Sequence, residues 1–187
     1  AVMCKDEEEH IGTSLNAVKD YVDYVVVADN GSTDDTFNIV RKYFEDTGIP
    51  GAWHIDKWEG FGKTKTKMMA HVKFDFNDSG KDQYLILNKK GGSAYWCSVI
   101  YDNRLTWVFA GIAHTVIRAE ERLDYLETEN LSGERFWINN TGLGSRILDP
   151  KKFLKDARAL ENQYWETLID DPYTLNSRSV FYCAQSY

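Results

Sequence analysis

Val25-Val26-Val27-Ala28-Asp29 runs straight into Asn30-Gly31 and then Ser32-Thr33-Asp34-Asp35-Thr36. Continuous apolar character, without alternation, marks a strand covered on both faces. Asn30-Gly31 breaks that strand, and Ser32, Thr33 or Asp34 can cap a helix running on through Asn38 to Tyr43. A strand that stops at an acid, turns on glycine and opens a helix is how an open α/β sheet presents polar groups at its carboxyl edge, where ligands bind. Asp29 is therefore a candidate ligand contact, with Gly31 and Ser32 beside it. The competing reading is that Asp29 only forms the turn, as aspartate often does.

Outward from this stretch the plan repeats. Ala1 to Cys4 reads as the end of a first strand, and Lys5-Asp6-Glu7-Glu8-Glu9 follows directly, which puts Asp6 and Glu7 near a strand tip. Ile11, Leu15 and Val18 recur at helical spacing and predict an amphipathic helix from about Glu8 to Asp20. Gly48-Ile49-Pro50-Gly51 reads as a turn and Ala52 to Ile55 as a short strand. A helix follows from Phe61 through Met68, Met69 and Val72. Strands alternating with helices of this length predict a parallel sheet with right-handed crossovers.

Tyr84 to Leu87 reads as the next buried strand, and Ser93–Tyr101 and Arg104–Phe109 as aromatic-rich strands joined in a hairpin at Asp102-Asn103. A third run, Ile112 to Ile117, carries His114, and Leu126 to Thr141 reads as loop. Beyond Asp149-Pro150 two helices are expected. Lys151–Asn162 has Phe153, Ala157 and Leu160 on one face, and Ser177–Tyr187 has Phe181, Ala184 and Tyr187. The chain therefore divides into residues 1–148, an α/β domain, and 149–187, a helical appendage.

Composition bounds the function. The chain has 187 residues, enough for one well-packed domain, and its 43% hydrophobic content with six Trp and eleven Tyr supports a core. No apolar run approaches the roughly 20 residues of a membrane span, and no signal peptide stands at the start, so a cytoplasmic protein is expected. A net charge of -7 disfavours nucleic-acid binding, which needs a basic face. The densest cationic region of the first half is Lys57, Lys63, Lys65, Lys67 and Lys73. Cys4, Cys97 and Cys183 have no metal-type spacing and read as reduced thiols. Asn30-Gly31-Ser32, Asn130-Leu131-Ser132 and Asn139-Asn140-Thr141 match glycosylation sequons, which have no meaning inside a cytosolic protein.

Five segments in order resemble the inverting glycosyltransferases of family 2, which have the GT-A fold, and specifically the branch whose transferase domain is followed by tetratricopeptide-like helices. Met3-Cys4-Lys5-Asp6-Glu7-Glu8 resembles the family's Lys-Asn-Glu-Glu segment, and Val26 to Thr36 its hydrophobic-Asp-x-Gly-Ser-Thr-Asp-x-Thr turn. Trp58 to Thr66 is similar to Trp-x-x-Phe-Gly-x-x-Arg-Thr, with Lys65 at the Arg position. Trp107 to His114 is similar to Trp-x-(aromatic)-x-Gly-x-x-His, and Asn176 to Tyr187 to the opening of the helical array.

The resemblance implies a hexosyltransferase-type enzyme that moves a sugar from a nucleotide-diphosphate donor, a UDP-sugar, to an acceptor such as a glycan or a protein. It implies that Asp6, Glu7 and Asp29 accept hydrogen bonds from base and ribose. Lys65 would face the diphosphate, where a cation stabilises charge on the leaving group. Lys in place of Arg keeps the charge and gives up the bidentate fork. His114 would ligate a metal or touch the diphosphate, although Thr115 stands where the family has an acid. A satisfied core histidine is the other reading of His114. Tyr95 and Trp96 could form a stacking platform for a sugar or acceptor ring, or fill a core.

The family pattern also ends its fourth strand with Asp-x-Asp, which holds a divalent cation, manganese or magnesium, against the donor. Here Leu85-Ile86-Leu87 runs directly into Asn88-Lys89-Lys90-Gly91-Gly92. The Asp-x-Asp is accordingly expected in a segment missing between Leu87 and Asn88. The rival function is a catalytically inactive GT-A domain that binds nucleotide or sugar as a scaffold module. A nucleotidyltransferase fits less well, because no Gly-rich phosphate loop with a lysine signature lies near the N-terminus.

Overall fold

The computed structural model describes residues 1–72, 80–121, 125–134, 137–140, 149–170 and 175–186. Lys73 of the basic region, Thr141 of the third sequon and the helix-ending Tyr187 lie outside the described residues. The chain is mixed α/β and falls into two compact units. The first comprises Ala1–Val72, Val108–Ile117 and Gly144–Tyr187, and the second Lys73–Trp107 and Arg118–Leu143. This division differs from the sequence boundary at 148/149, because the C-terminal helices group with the N-terminal sheet.

The first unit is built on strands β1 (Val2–Cys4), β2 (Val25–Asp29) and β3 (Gly51–Ile55), all parallel, in the order β1-β2-β3. Every residue of β2 is buried, as its unbroken apolar run predicts. Helix α1 (Ile11–Val18), a 3-10 turn (Lys19–Tyr21) and helix α2 (Thr36–Thr47) make the crossovers. Gly48 ends α2 in the left-handed conformation, φ 67°, and its N–H donates to the Phe44 carbonyl. Cys4, Ile11, Leu15, Val25, Val27, Val40 and Tyr43 form one buried cluster, with the Ile11 and Leu15 positions of the expected amphipathic helix facing the sheet. The register sets Cys4 level with Asp29 and Asp29 level with Ile55, so the three carboxyl ends open at one edge. Helix α3 (Phe61–Ala70) follows β3.

The second unit departs from the expected continuation of the parallel sheet. Tyr84 to Leu87 belongs to β4 (Gln83–Lys90), a half-buried strand that pairs antiparallel with β5 (Ser93–Tyr101). The two-residue turn Gly91-Gly92, with Gly91 at φ 55°, closes this hairpin. The hairpin expected at Asp102-Asn103 does not form. There the Asp102 carboxylate is taken by the Arg104 backbone N–H and guanidinium, and the Asp102 carbonyl by Trp107 Nε1 at 2.6 Å. The chain then passes through β6 (Trp107–Ala110) and β7 (Val116–Ala119), which pair with each other. His114 sits in the turn between them and not within a strand. The segment read as loop contributes β8 (Thr128–Asn130) and β9 (Trp137–Asn139), both laid parallel on β4.

Leu87 and Asn88, between which the Asp-x-Asp segment is expected, are joined directly in this chain. Both residues are consecutive members of β4, opposite Trp96 and Tyr95 of β5 and opposite Trp137 and Ile138 of β9.

Helices α4 (Lys152–Glu166) and α5 (Leu175–Ser186) pack together in the first unit. Their buried stripe is Asp156, Ala157, Leu160 and Gln163 on α4 and Leu175 and Ser179 on α5. Ala157 and Leu160 face inward as expected, while Phe153 and Phe181 are exposed. Among the described residues no helix is long and apolar enough to cross a membrane.

Candidate functional site

The carboxyl edge of the parallel sheet is held by two turns that bond to each other. Ser32 donates from its backbone N–H to both Asp29 carboxylate oxygens at 3.1 Å and from its hydroxyl to Oδ1 at 2.5 Å. The Ser32 hydroxyl in turn accepts the Asp6 N–H at 2.9 Å. The Asp6 carboxylate accepts the Thr33 N–H at 2.8 Å, and Thr36 Oγ1 accepts the Glu7 N–H at 2.9 Å. Asp34 accepts both the N–H and the hydroxyl of Thr36, and the Glu8 N–H as well. The two loops that the sequence singled out are thus one hydrogen-bonded object, 26 residues apart in the chain at Asp6 and Ser32.

That geometry sharpens the two readings of Asp29. The side chain is 4% exposed and its oxygens face Ser32 and the Cys4 thiol at 4.0 Å, so the turn-forming role is directly visible. Burial, then the charges of Asp29, Glu7 and Asp34, push the Cys4 thiol up to about 12 and keep it protonated. Gly31 stands at φ 87°, in open space, which the turn requires and a side chain would strain.

A cleft of about 640 Å³ opens at this edge, lined by Met3, Cys4, Lys5, Asp6, Glu7, Asn30, Trp58, Phe61, Asp149 and Lys155. Asp6 and Glu7 therefore reach it, whereas Asp29 and Ser32 lie beneath it as its support. Asn30 reaches the cleft while its side-chain amide donates to the Asp56 carbonyl at 3.1 Å. Trp58 and Phe61 form an aromatic wall, edge to face with centroids 4.8 Å apart. Asp6 is one of two non-glycine residues at positive φ among the described residues, at 50°; His114 is the other, also at 50°. Left-handed conformations at non-glycine residues are strained and concentrate at working sites.

Lys65 lies on α3, half-buried, with Nζ 5.8 Å from the Phe61 ring centroid and 5.3 Å from that of Phe109. Burial lowers its pKa, and no carboxylate offsets this among the described residues. Its helix is locked to the His114 turn through backbone. Phe61 N–H donates to the Ile112 carbonyl and Gly62 N–H to the Gly111 carbonyl, while the Phe109 N–H donates to Thr66 Oγ1 at 2.9 Å. A Cβ at Gly62 would stand 2.4 Å from the carbonyl oxygens of Phe109 and Gly111, so only glycine allows this approach.

His114 is exposed, which removes the core-histidine reading. Its ring stacks on Tyr182 of α5 with centroids 4.0 Å apart, and its carbonyl accepts from Arg178 at 3.0 Å. Among the described residues no three His, Cys, Asp or Glu side chains gather where they could hold a metal ion. Tyr95 and Trp96 belong to the second unit and are consecutive on β5, so they point to opposite faces of the sheet and form no single platform. Trp96 shares its face with Leu87 and Trp137.

No family model matches the chain, and no curated protein does.

Several contributors escaped sequence reading. Gln163, buried on α4, accepts the Ile112 N–H at 2.6 Å and donates to Ser179 Oγ at 2.6 Å, tying the His114 turn to both C-terminal helices. Asp149 and Lys155 reach a cleft whose other members lie within residues 3–61. His71 Nε2 bonds Asp56 at 3.0 Å while its ring stacks on His54, and Asp56 N–H donates to the Asp29 carbonyl, buttressing the edge from β3. None of these pairings has a local sequence signature.

Proposed function

We propose that this chain is an inverting glycosyltransferase of GT-A type, which moves a sugar from a nucleotide-diphosphate donor such as a UDP-sugar to an acceptor, a glycan or a protein. The observation that carries the reading is the strand-edge cleft. Acceptor carboxylates Asp6 and Glu7, the Asn30 amide, an aromatic wall of Trp58 and Phe61 and the cations Lys5 and Lys155 converge on one concavity at the carboxyl ends of parallel strands. Such a set suits a nucleoside diphosphate. Carboxylates accept from base N–H and ribose hydroxyl groups, an aromatic face covers a ring, and lysines meet phosphate.

Transfer with inversion breaks the anomeric C–O bond to the diphosphate as the acceptor oxygen attacks from the opposite face. Charge then grows on the departing phosphate oxygen. Lys65 is the residue we assign to that charge: it is not itself in the cleft lining, but its Nζ lies 5.8 Å from the ring of the lining residue Phe61, and a desolvated cation there gains from an anion brought beside it. The acceptor proton requires a base, usually a carboxylate. Thr115 follows His114, so that role is not given to its neighbour.

A specific observation favours a second reading, a nucleotide- or sugar-binding module without turnover. The Asp29 and Asp34 carboxylates are occupied by their own turn. Titration with UDP, followed by an assay of donor hydrolysis and transfer over a panel of nucleotide sugars, separates the two. Binding with turnover supports the transferase, and binding without turnover on any donor supports the module. Repeating the assay with added manganese and then with chelator tests the cation separately.

A further inference from the structure

Lys155 belongs to the first turns of α4, far in sequence from the strand edge, yet it lines the same cleft as Lys5, Asp6, Glu7 and Trp58. Its ammonium group is held by Asp149 Oδ2 at 2.6 Å. The Asp149 Oδ1 accepts the Lys151 N–H at 2.9 Å, so one carboxylate both orders the turn ahead of α4 and aims the lysine. The lysine side chain remains 63% exposed while Asp149 is 29% exposed. An exposed ion pair of this kind is weakly held, because water screens it and two side chains must be ordered. An arriving dianion would compete well for the ammonium group, since phosphate oxygens make charge-assisted bonds at least as strong as those of a carboxylate.

We infer that Lys155 is a phosphate-binding residue of the cleft, held by Asp149 and transferred to the diphosphate of a bound nucleoside diphosphate. This rests on the nucleotide reading of the cleft and adds to it a residue that the sequence motifs do not contain. Two cations flank the cleft from opposite ends of the chain, Lys5 at the β1 tip and Lys155 from α4, while Asp6 and Glu7 supply acceptors between residues of the same edge. A nucleoside lacking phosphate would have nothing to offer Lys155. A diphosphate would, and the helices of the C-terminal segment thereby become part of donor recognition and not a neutral appendage.

The experiment compares UDP with uridine by calorimetric titration on the full chain. Lys155→Met is expected to weaken UDP about threefold to tenfold, in line with a partly exposed charge pair, and to leave uridine unchanged. Lys155→Arg should restore UDP binding, and Asp149→Asn, which keeps an oxygen for the Lys151 N–H but removes the charge that holds the lysine, should tighten UDP about twofold to threefold. The UDP advantage of the wild type should also shrink more steeply with salt than that of Lys155→Met. Thermal melts of each variant read any folding defect, which would lower UDP and uridine binding together. Equal losses for UDP and uridine, or an unchanged UDP affinity in folded Lys155→Met, overturn the assignment. Wild-type protein that binds neither ligand overturns the nucleotide reading itself.

Discussion

Asp29 illustrates how a side chain can serve a site by standing under it. Its carboxylate satisfies the Ser32 N–H and hydroxyl, and Ser32 then takes the Asp6 N–H, so Asp6 reaches the cleft on a frame that Asp29 holds. Asp29→Ala leaves these part-buried donors without the carboxylate and is expected to lower stability by about 1–3 kcal/mol as well as UDP affinity; an unchanged urea midpoint would remove it from the frame. Lys65 predicts the opposite pairing of effects. Its desolvation is uncompensated by a carboxylate among the described residues, so Lys65→Met should unfold no more easily than wild type while binding UDP more weakly, the trade expected of a functional charge. A clear loss of stability with full UDP affinity would make Lys65 structural. Cys4 gives a pH signature. Its thiol has a folded value of about 12 against an ordinary 9.0, so the folded state retains a proton that the unfolded state releases between those values. The associated stability is fully present below pH 9 and is lost as pH rises toward 12. Its share of the slope is about 1.4 kcal/mol per pH unit inside that window. Cys4→Ala should flatten the alkaline limb of the stability curve, measured by denaturant titration at stepped pH.

At the level of elements, the contact between α3 and the His114 turn is made by backbone, with Gly62 as the point of approach. Gly62→Ala sets a methyl group 2.4 Å from two carbonyl oxygens that are themselves fixed by strand and turn. A loss of about 1–3 kcal/mol is expected, whereas Gly92→Ala, with nothing within 4 Å, should change the urea midpoint little. The same elements show why some of the architecture can be read locally and some not. The Val25–Asp29 run, the Ile11 and Leu15 spacing and the Gly48 stop each encode their own element, because burial on both faces, helical periodicity and left-handed φ are properties of a few adjacent residues. Tyr84–Leu87 encodes a strand but not its neighbour. The pairing was decided by Gly91-Gly92, whose tight turn brings β5 back onto β4 before any helical crossover can form. Trp137 and Thr128 lie in three-residue strands, too short for alternation to show. In the site, Asp6 and Glu7 were legible as strand-tip acids, while Lys155, Asp149 and Gln163 become neighbours of the edge only after the chain has returned from the second unit.

For the whole molecule, the decisive question is whether the C-terminal helices complete the first unit or hang from it. Gln163 answers through two bonds made by one buried amide: its oxygen takes the Ile112 N–H beside α3 and its nitrogen reaches Ser179 on α5. Arg178 and Tyr182 then hold His114, and Asp149 and Lys155 line the cleft at the sheet edge. Replacing Gln163 by leucine keeps the volume but leaves the Ile112 N–H and the buried Ser179 hydroxyl without this partner, an expected cost of about 2–4 kcal/mol for two stranded groups. The distinguishing feature is where that cost appears. If the helices belong to the unit, hydrogen exchange in Gln163→Leu should accelerate in α4, α5 and the Gly111–Thr115 turn together, with a single shared unfolding transition. Acceleration confined to α4 and α5, with the turn protected as in wild type, would instead make them a separable appendage, as the boundary at residue 148 had placed them.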